Sequence, residues 1–402
     1  MAEIRIEVDE SLVRRRLKDS IDHKADWNRK STRLYEIVMD VDRGKHTTTT
    51  VEESAPNYLL VNLELKVKSI LYTYVRMTLT TLPESKPTEE WLNRIKEDSY
   101  PDLEWVLKDR YITGLGVLAV GQDRRLDRFV WYRVNPLHFY WDWESGLPYT
   151  EWMARRVRVG DDVYLEYWTT RERVLLDNEY NILRVEPNRI GVIPFIPILG
   201  YHVPNIAYPK GDVELSYPQQ ELLREVRRTI LDHARRGAGL MLIQNNAIPD
   251  EELWKLTEPG EQWIRVNDTT GVVPIPTPPL NPEWLQVEAG ARNDLESQSG
   301  VSEFLLGSTP IIGRAKFASE ILAAMGIQNL RVGIEWMGVE QAVLKASDVL
   351  YRWAYHTPII PRELTPIPPD DITIDAQDVI NPVAVPSVDT LPSVADYGAG
   401  RR

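Results

Sequence analysis

The segment spanning residues 189–236 places the strongest constraint on how this chain can fold. It opens with an apolar run interrupted by prolines, residues 190–201, and prolines and glycines continue as far as Gly211. Because Pro and Gly at this density favour loops, we predict a loop here and a new element after it. Pro218 suits the first turn of a helix, where its missing N–H costs nothing. The pattern therefore predicts one helix to the end of the segment, closed by Gly237.

The apolar residues of this predicted helix form a narrow stripe. They recur at spacings of about four residues and are Leu222, Leu223, Val226, Ile230 and Leu231. Most other positions carry charged or amide side chains, so the stripe is closer to a coiled-coil seam than to the wide face that a globular core needs. Two interpretations remain open: a surface helix with a solvated outer face, or a helix packed against copies of itself in a multimer.

A small module and a second polar helix follow. The pattern predicts strands at residues 240–243, 262–266 and 271–275, a helix at residues 250–257, and then a helix at residues 282–299. The module is too small to bury a core by itself. We therefore expect its strand edges to pair with neighbouring copies of the chain.

The next segment, residues 300–316, contains three glycines and a proline and cannot be helical throughout. The pattern of residues 317–353 then predicts one helix, whose length would be roughly 55 Å at about 1.5 Å per residue. Gly326, Gly333 and Gly338 lie inside it and predict a kink or a close approach of another helix. Beyond it, a proline-rich stretch with one short strand at Ile372 and Ile374 leads to a Pro/Ala/Val/Ser-rich end.

The first half of the chain predicts helices followed by antiparallel strands. Helices are expected near residues 11–27, from residue 57, from residue 88 and at residues 102–113; strands are expected at residues 129–134, 139–143, 153–159, 163–169 and 174–177. Alternating apolar residues predict sheets with one solvated face. Gly114, Gly116 and Gly121 stand between a helix and a strand, which is the reverse of the order in a phosphate-binding loop. We interpret them as a helix end followed by a buried strand.

This order of elements resembles the portal proteins of tailed bacteriophages over roughly residues 56–353. The resemblance implies an α+β fold: a portal-like subunit with an α/β wing, a two-helix stem, a small α/β clip, a long kinked helix and a reduced or absent crown. The implied divisions are an N-terminal arm (1–55), wing (56–213), stem helix 1 (214–236), clip (237–280), stem helix 2 (281–299), tunnel loop (300–316), long wing helix (317–356) and C-terminal segment (357–402).

The resemblance also implies site residues in each part. Those expected to contact DNA from the tunnel loop are Ser308, Thr309, Arg314 and Lys316, and those expected to pack neighbouring loops together are Leu305, Leu306, Ile311 and Ile312. The stem residues are Arg224, Arg227, Arg228 and Arg235. The motor-docking residues of the clip are Glu251, Glu252, Trp254 and Lys255.

The implied function is a ring-shaped channel at one capsid vertex for double-stranded DNA. Its expected partners are identical subunits in a ring of about twelve, duplex DNA, the terminase large subunit, the major capsid protein and a head-completion or tail adaptor. The net charge of −13 fits a conduit that repels the DNA backbone. We expect no membrane association, cofactor or metal, and a location at the portal vertex of the virion after assembly in the host cytoplasm.

Two alternatives to a portal remain open. One is another phage head-tail adaptor. The other is a glycan hydrolase, in which tryptophans beside paired carboxylates would line a sugar-binding cleft. The residues of that cleft would be Trp131, Trp141, Trp143, Trp152 and Trp168 with Asp142, Glu144, Glu151 and Glu166. Because the chain has no P-loop, H-E-x-x-H or G-x-S-x-G motif, we expect that it is not an enzyme.

Overall fold

The computed structural model of this chain describes residues 8–39, 57–72, 74–79, 86–123, 128–144, 150–202, 207–237, 241–243, 267, 272–274, 282–299, 318–356, 368–371 and 374–379. The helices are α1 (Glu10–Val38), α2 (Tyr58–Tyr72), α3 (Lys86–Asp98), α4 (Tyr100–Thr113), α5 (Asp212–Gly237), α6 (Glu283–Ser299) and α7 (Ala318–Tyr355). In this part of the chain no helix is long and apolar enough to cross a bilayer.

The strands are β1 (Tyr74–Leu79), β2 (Leu115–Asp123), β3 (Arg128–Val134), β4 (Phe139–Trp141), β5 (Trp152–Val159), β6 (Asp162–Thr169), β7 (Glu172–Leu176), β8 (Ile182–Pro187), β9 (Phe195–Leu199), β10 (Met241–Ile243), β11 (Val272–Pro274) and β12 (Ile374–Val379). All of their pairings are antiparallel. The predicted α+β class is confirmed. The chain divides into two compact units, one of residues 1–35, 61–214 and 303–402, the other of residues 36–60 and 215–302.

The larger unit is built on a five-stranded sheet with the strand order β4-β5-β6-β7-β8. Trp152, Ala154 and Tyr167 are buried on one face, together with Val13 and Leu17 of α1. Strand residues from the opposite face, Met153 and Trp168 among them, are buried against a second sheet. The expectation of a solvated face is therefore wrong for this sheet, because α1 covers one side and the second sheet covers the other.

Helix α1 extends beyond the predicted residues 11–27 because buried side chains continue along it. Ser31 and Leu34 are almost fully buried, and the Ser20 hydroxyl donates to the Trp141 carbonyl oxygen at 2.9 Å. Lys24 is also fully buried, and its Nζ donates to the carbonyl oxygens of Pro136 and Phe139. The rings of Trp27, Tyr140 and Trp141 surround it at 4.8 to 5.3 Å. A lysine thus joins α1 to the strand-β4 region.

The second sheet has the order β3-β2-β9 and corrects the loop predicted for residues 190–201. Phe195, Ile196 and Ile198 of β9 are buried, and Pro197 lies opposite Val117 of β2. A proline fits here because β9 is an edge strand, where one side of the backbone needs no ladder hydrogen bond. The apolar run is therefore a strand that the prolines confine to the sheet edge.

The glycines between α4 and β2 serve packing, as the sequence predicts. Gly114 follows the last helical residue with a φ of 88° and donates its N–H to the Arg110 carbonyl oxygen. A Cβ on Gly116 would lie 2.2 Å from the Val106 carbonyl oxygen. Only glycine allows α4 to lie this close to β2. The prediction of a helix end followed by a buried strand is confirmed.

The C-terminal part of the larger unit contains the predicted long helix, α7, with 38 residues. Strand β12 pairs with β1, so the predicted additional strand is confirmed. Among the described residues, no atom lies within 4 Å of a Cβ built on Gly338, so a close helix approach does not occur at this glycine, and the kink stays a prediction. The side chains near Gly326 and Gly333 lie outside the described residues.

Candidate functional site

Helix α5 begins six residues before Pro218, so the prediction of Pro218 in its first turn is wrong. Asp212 and Glu214 occupy the first turn instead, where acidic groups are favoured by the helix dipole. The Asp212 carboxylate accepts from Lys66 at 2.7 Å and from the Tyr201 hydroxyl at 3.1 Å. Glu214 forms an ion pair with Lys30 at 2.6 Å. These contacts with distant residues fix the start of α5 before the proline.

In the smaller unit, α5 and α6 form an antiparallel pair with a narrow apolar seam. Leu223 of α5 and Ala291 and Leu295 of α6 are buried together. One helical turn further along α5, Arg227 donates to Glu288 at 2.7 Å. The later residue on α5, Arg227, therefore contacts the earlier residue on α6, Glu288. This reversed order shows that the two helices are antiparallel. This seam agrees with the narrow stripe that the sequence predicts.

Tyr58 is part of this cluster and was missed by the sequence analysis. The guanidinium groups of Arg227 and Arg292 each lie 5.9 Å from the centre of its ring. Arg292 also pairs with Glu296 at 3.3 Å. Burial works to lower the pKa of Arg227, but its bonds to Glu288 and Tyr58 raise it overall. The spacing of Glu288, Arg292 and Glu296 signals the polar part of the cluster, whereas nothing local to Tyr58 does.

The four predicted stem arginines have different environments. Arg224 pairs with Glu221 at 2.9 Å on the same helix, and Arg227 contacts α6. Arg228 is exposed to solvent. The side chain of Arg235 lies outside the described residues. Of these arginines, Arg227 is therefore the one for which the structure shows a contact across the α5–α6 seam among the described side chains.

The α5–α6 pair exposes large apolar side chains. Trp284, Leu285 and Val287 of α6 are 38%, 53% and 41% exposed, and Leu222 of α5 is 41% exposed. Three of these four apolar side chains lie within one turn at the start of α6, although the whole chain carries a net charge of −13. Clustered apolar exposure of this kind marks protein interaction surfaces. The pair can therefore bury one internal seam and still offer a second apolar surface.

The small module between α5 and α6 is described in part. Strands β10 and β11 pair with each other, with Leu242 opposite Val273, and both strands lie where the sequence predicts them. The predicted helix at residues 250–257 and strand at 262–266 lie outside the described residues, as do Glu251, Glu252, Trp254 and Lys255, which the resemblance predicts to dock the motor. The residues predicted for a tunnel loop also lie outside them: Leu305, Leu306, Ser308, Thr309, Ile311, Ile312, Arg314 and Lys316.

The alternative of a sugar-binding cleft is wrong. Trp131, Trp141 and Trp152 are each 1% exposed, and Trp168 is 6% exposed, so these indoles belong to the core. Glu166 is buried and bonded to two arginines rather than paired with a second carboxylate. Stacking on a sugar requires accessible rings, which these residues do not provide.

We expect Arg227 and Glu288 to stabilise the α5–α6 pair through a measurable coupling. In a double-mutant cycle with Arg227→Ala and Glu288→Ala, the coupling free energy should be about 1 kcal/mol, because both side chains are three-quarters buried. Urea unfolding of the four proteins measures it. The exposed pair Arg158 and Asp161 is the control and should give a coupling near zero. Equal couplings for the two pairs would contradict the expectation.

Comparison with known proteins identifies a fold. No model of a protein family matches the chain, and no curated protein matches it either. Among solved structures, a chain from the neck of an empty GTA particle, computed with C6 symmetry, aligns over 93% of this chain and 91% of its own, with 13% identity and a TM-score of 0.52. A chain from the virion of the native gene transfer agent (GTA) particle aligns over 78% and 81%, with 13% identity and a TM-score of 0.46. The first likeness shows a shared α+β fold.

Proposed function

We propose that this chain is a portal subunit: one member of a closed ring at a capsid vertex, through which double-stranded DNA passes during packaging and ejection. The observation that carries the proposal is the α5–α6 pair. Two antiparallel helices flank a small strand module. The narrow apolar seam of each helix is covered by the other helix, and both helices expose further apolar side chains. A subunit in a ring needs such a second surface, because each copy contacts two neighbours.

Two further observations support the proposal. The long helix α7 follows the pair after an intervening segment, which is the order of elements in portal proteins. The fold is also similar to that of a chain in a particle neck, the part of a phage-like particle where a ring of this kind would lie. In the proposed ring, residues 300–316 line the channel and residues 237–280 present a docking surface to the terminase motor and then to tail connectors.

In the proposed mechanism the chain forms a channel and catalyses no reaction. The net charge of −13 keeps the ring from gripping DNA over a broad basic face, so duplex DNA can slide while a separate motor supplies the energy. Arg314 and Lys316 are the proposed points where the channel contacts phosphate groups. Likeness to a neck protein also favours a second candidate, a head-tail adaptor, which differs in forming its ring after packaging rather than serving as the motor's docking site.

Native mass spectrometry with negative-stain imaging of the same sample tests the ring. We expect a closed assembly of about a dozen subunits with a central hole wide enough for duplex DNA. A stable monomer or dimer at every concentration and salt tried would overturn the proposal. A ring that fails to bind the terminase large subunit but binds tail connectors would favour the adaptor.

A single added charge on α6 tests which surface closes the ring. Leu285→Asp places a carboxylate on the exposed apolar surface, and we expect the ring fraction to fall at least roughly tenfold because burying that charge in a subunit interface is unfavourable. Asn293→Asp adds the same charge at an exposed position of the same helix and should leave the rings intact. If both variants form rings as well as the unmodified chain does, this surface is not the interface.

A further inference from the structure

A pocket of about 450 Å³ lies in the larger unit, at the end of strand β8 and beside the end of helix α7. None of the functions considered above uses it. The side chains that give it its chemical character are Trp168, Arg173, Arg184, Glu186, Arg189 and Trp353. They come from β6, β7, β8, the turn after β8, and α7, so the pocket forms only when these elements are assembled.

The pocket carries excess positive charge on an acidic chain. Glu186 accepts from Arg173 at 3.0 Å and pairs with Arg184 at 2.5 Å. Two guanidinium groups therefore face its one negative charge. The Arg184 side chain remains 69% exposed, and Arg189 is exposed at the rim. His356, which also lines the pocket, is exposed as well. Charge complementarity therefore favours an anionic ligand.

The partly exposed indole of Trp353 forms an apolar wall next to these charges and packs against the buried indole of Trp168. The ring centres of Trp168 and Trp353 are 6.0 Å apart, with their planes tilted by 54°, and the Arg173 guanidinium lies 5.3 Å from the Trp168 ring. The exposed part of the Trp353 ring can accept a further aromatic ring in an edge or offset arrangement. The anionic ligand should therefore also carry an aromatic group.

Strand β8 supplies the third element, an open backbone edge. It is the terminal strand of the five-stranded sheet, so among the described strands only β7 pairs with it. Leu183 on this strand is 52% exposed. An exposed edge strand can accept an extended peptide as an additional strand, whose backbone then pairs and whose side chains fill adjacent pockets.

The rim of the pocket is already ordered for binding. The Asn188 side chain donates to the carbonyl oxygens of Thr169 at 2.8 Å and Val192 at 2.9 Å, and accepts from the Ile190 N–H at 3.1 Å. These bonds fix the turn that carries Arg189. A ligand that pairs with Arg189 therefore has little loop-ordering entropy to overcome.

We propose that this pocket and the β8 edge together form a docking site for an extended acidic peptide with an aromatic side chain, from a partner protein of the assembly. The peptide backbone pairs with β8, its aromatic ring lies against Trp353, and its carboxylates contact Arg184 and Arg189. Single-stranded nucleic acid would also use arginines and indoles. The open backbone edge favours the peptide, because nucleic acid has no amide groups to pair with it.

Fluorescence polarisation with the full chain tests the site. The probe is a labelled peptide of alternating Glu and Val with a central Tyr. The comparison ligands are a copy with Lys in place of Glu, a copy methylated at alternate backbone amides, and oligothymidine. We expect both peptide copies to bind at least roughly tenfold more weakly than the probe. Equal binding of either copy, or tighter binding of oligothymidine, would overturn the proposal.

A matched pair of variants locates the binding. Arg189→Glu reverses a charge at the pocket rim and should weaken probe binding at least roughly tenfold, because a charge-assisted contact becomes a repulsion. Arg158→Glu makes the same change at an exposed position of the β5–β6 hairpin, where the side chain is 72% exposed, and should leave binding unchanged. Equal effects of the two variants would place the peptide elsewhere. Neither residue belongs to the α5–α6 pair, so ring assembly is a separate readout.

Discussion

Replacement of Glu166 with alanine should lower the free energy of unfolding by about 3–5 kcal/mol, as for removal of one partner from other buried ion pairs. Glu166 lies on β6, and its side chain is 4% exposed. Its two carboxylate oxygens accept from Arg155 on β5 at 2.6 Å and from Arg173 on β7 at 2.7 and 2.8 Å. The variant leaves two guanidinium groups in the sheet without their shared carboxylate. Urea unfolding of the full chain measures the loss.

The control for this prediction is an ion pair of the same types at the surface. Glu151 pairs with Arg16 at 3.3 Å, but its side chain is 76% exposed, so Glu151→Ala should cost at most about 1 kcal/mol. Burial works to raise the pKa of Glu166, and the charges of Arg155 and Arg173 outweigh it and lower that pKa. The stability that these ion pairs contribute is therefore complete at pH values above the pKa of Glu166 in the unfolded chain. It is lost as the pH falls through the pKa of Glu166 in the folded chain. Equal losses for Glu166→Ala and Glu151→Ala would contradict this account.

Replacement of Lys24 with methionine should remove a large pH dependence of stability. Burial lowers the pKa of Lys24 well below its ordinary value of 10.5. Between the folded and unfolded pKa values, the unfolded chain holds a proton that the folded chain does not. The free energy of unfolding therefore rises with pH in this window, by about 1.4 kcal/mol per pH unit for one proton. Methionine fills a similar volume and has no proton to lose, so its variant should not show this rise.

Unfolding in urea at several pH values below the ordinary lysine pKa of 10.5 compares the two proteins. The stability of the unmodified chain should increase relative to Lys24→Met as the pH rises, since tyrosines that titrate in both proteins cancel in the difference. Lys18→Met is the control, because Lys18 lies exposed on the same helix, and its profile should run parallel to that of the unmodified chain. A parallel profile for Lys24→Met would show that the buried amine does not control this linkage.

The order of elements was predictable because it depends on local patterns. The period of the apolar residues indicates α5 and α6, the strands β10 and β11 appear as short apolar runs between them, and the uninterrupted pattern after residue 317 indicates α7. Gly114 marks the end of α4 for a reason that lies in one residue, its tolerance of a positive φ. These features need information from only a few neighbouring positions.

Other features depended on contacts between distant residues. Prolines at 194 and 197 predict a loop locally, but burial of Phe195, Ile196 and Ile198 against β2 outweighs that preference and makes an edge strand. Trp141, Trp152 and Trp168 of the alternative sugar-binding cleft are in the core because α1 and the second sheet cover both faces of the five-stranded sheet. No periodicity in one strand reveals whether a second layer will cover its polar side.

The sequence by itself determined the α+β class, the helix-module-helix order and the narrow seam of α5, since backbone preference and side-chain spacing along one element decide them. The tertiary structure alone decided which side chains meet: Lys24 with the carbonyl oxygens of Pro136 and Phe139, Glu166 with arginines of two strands, and Tyr58 with Arg227 across 169 positions. The physical reason is that these contacts depend on how whole layers pack, and packing optimises burial and charge pairing over residues that the chain order keeps far apart.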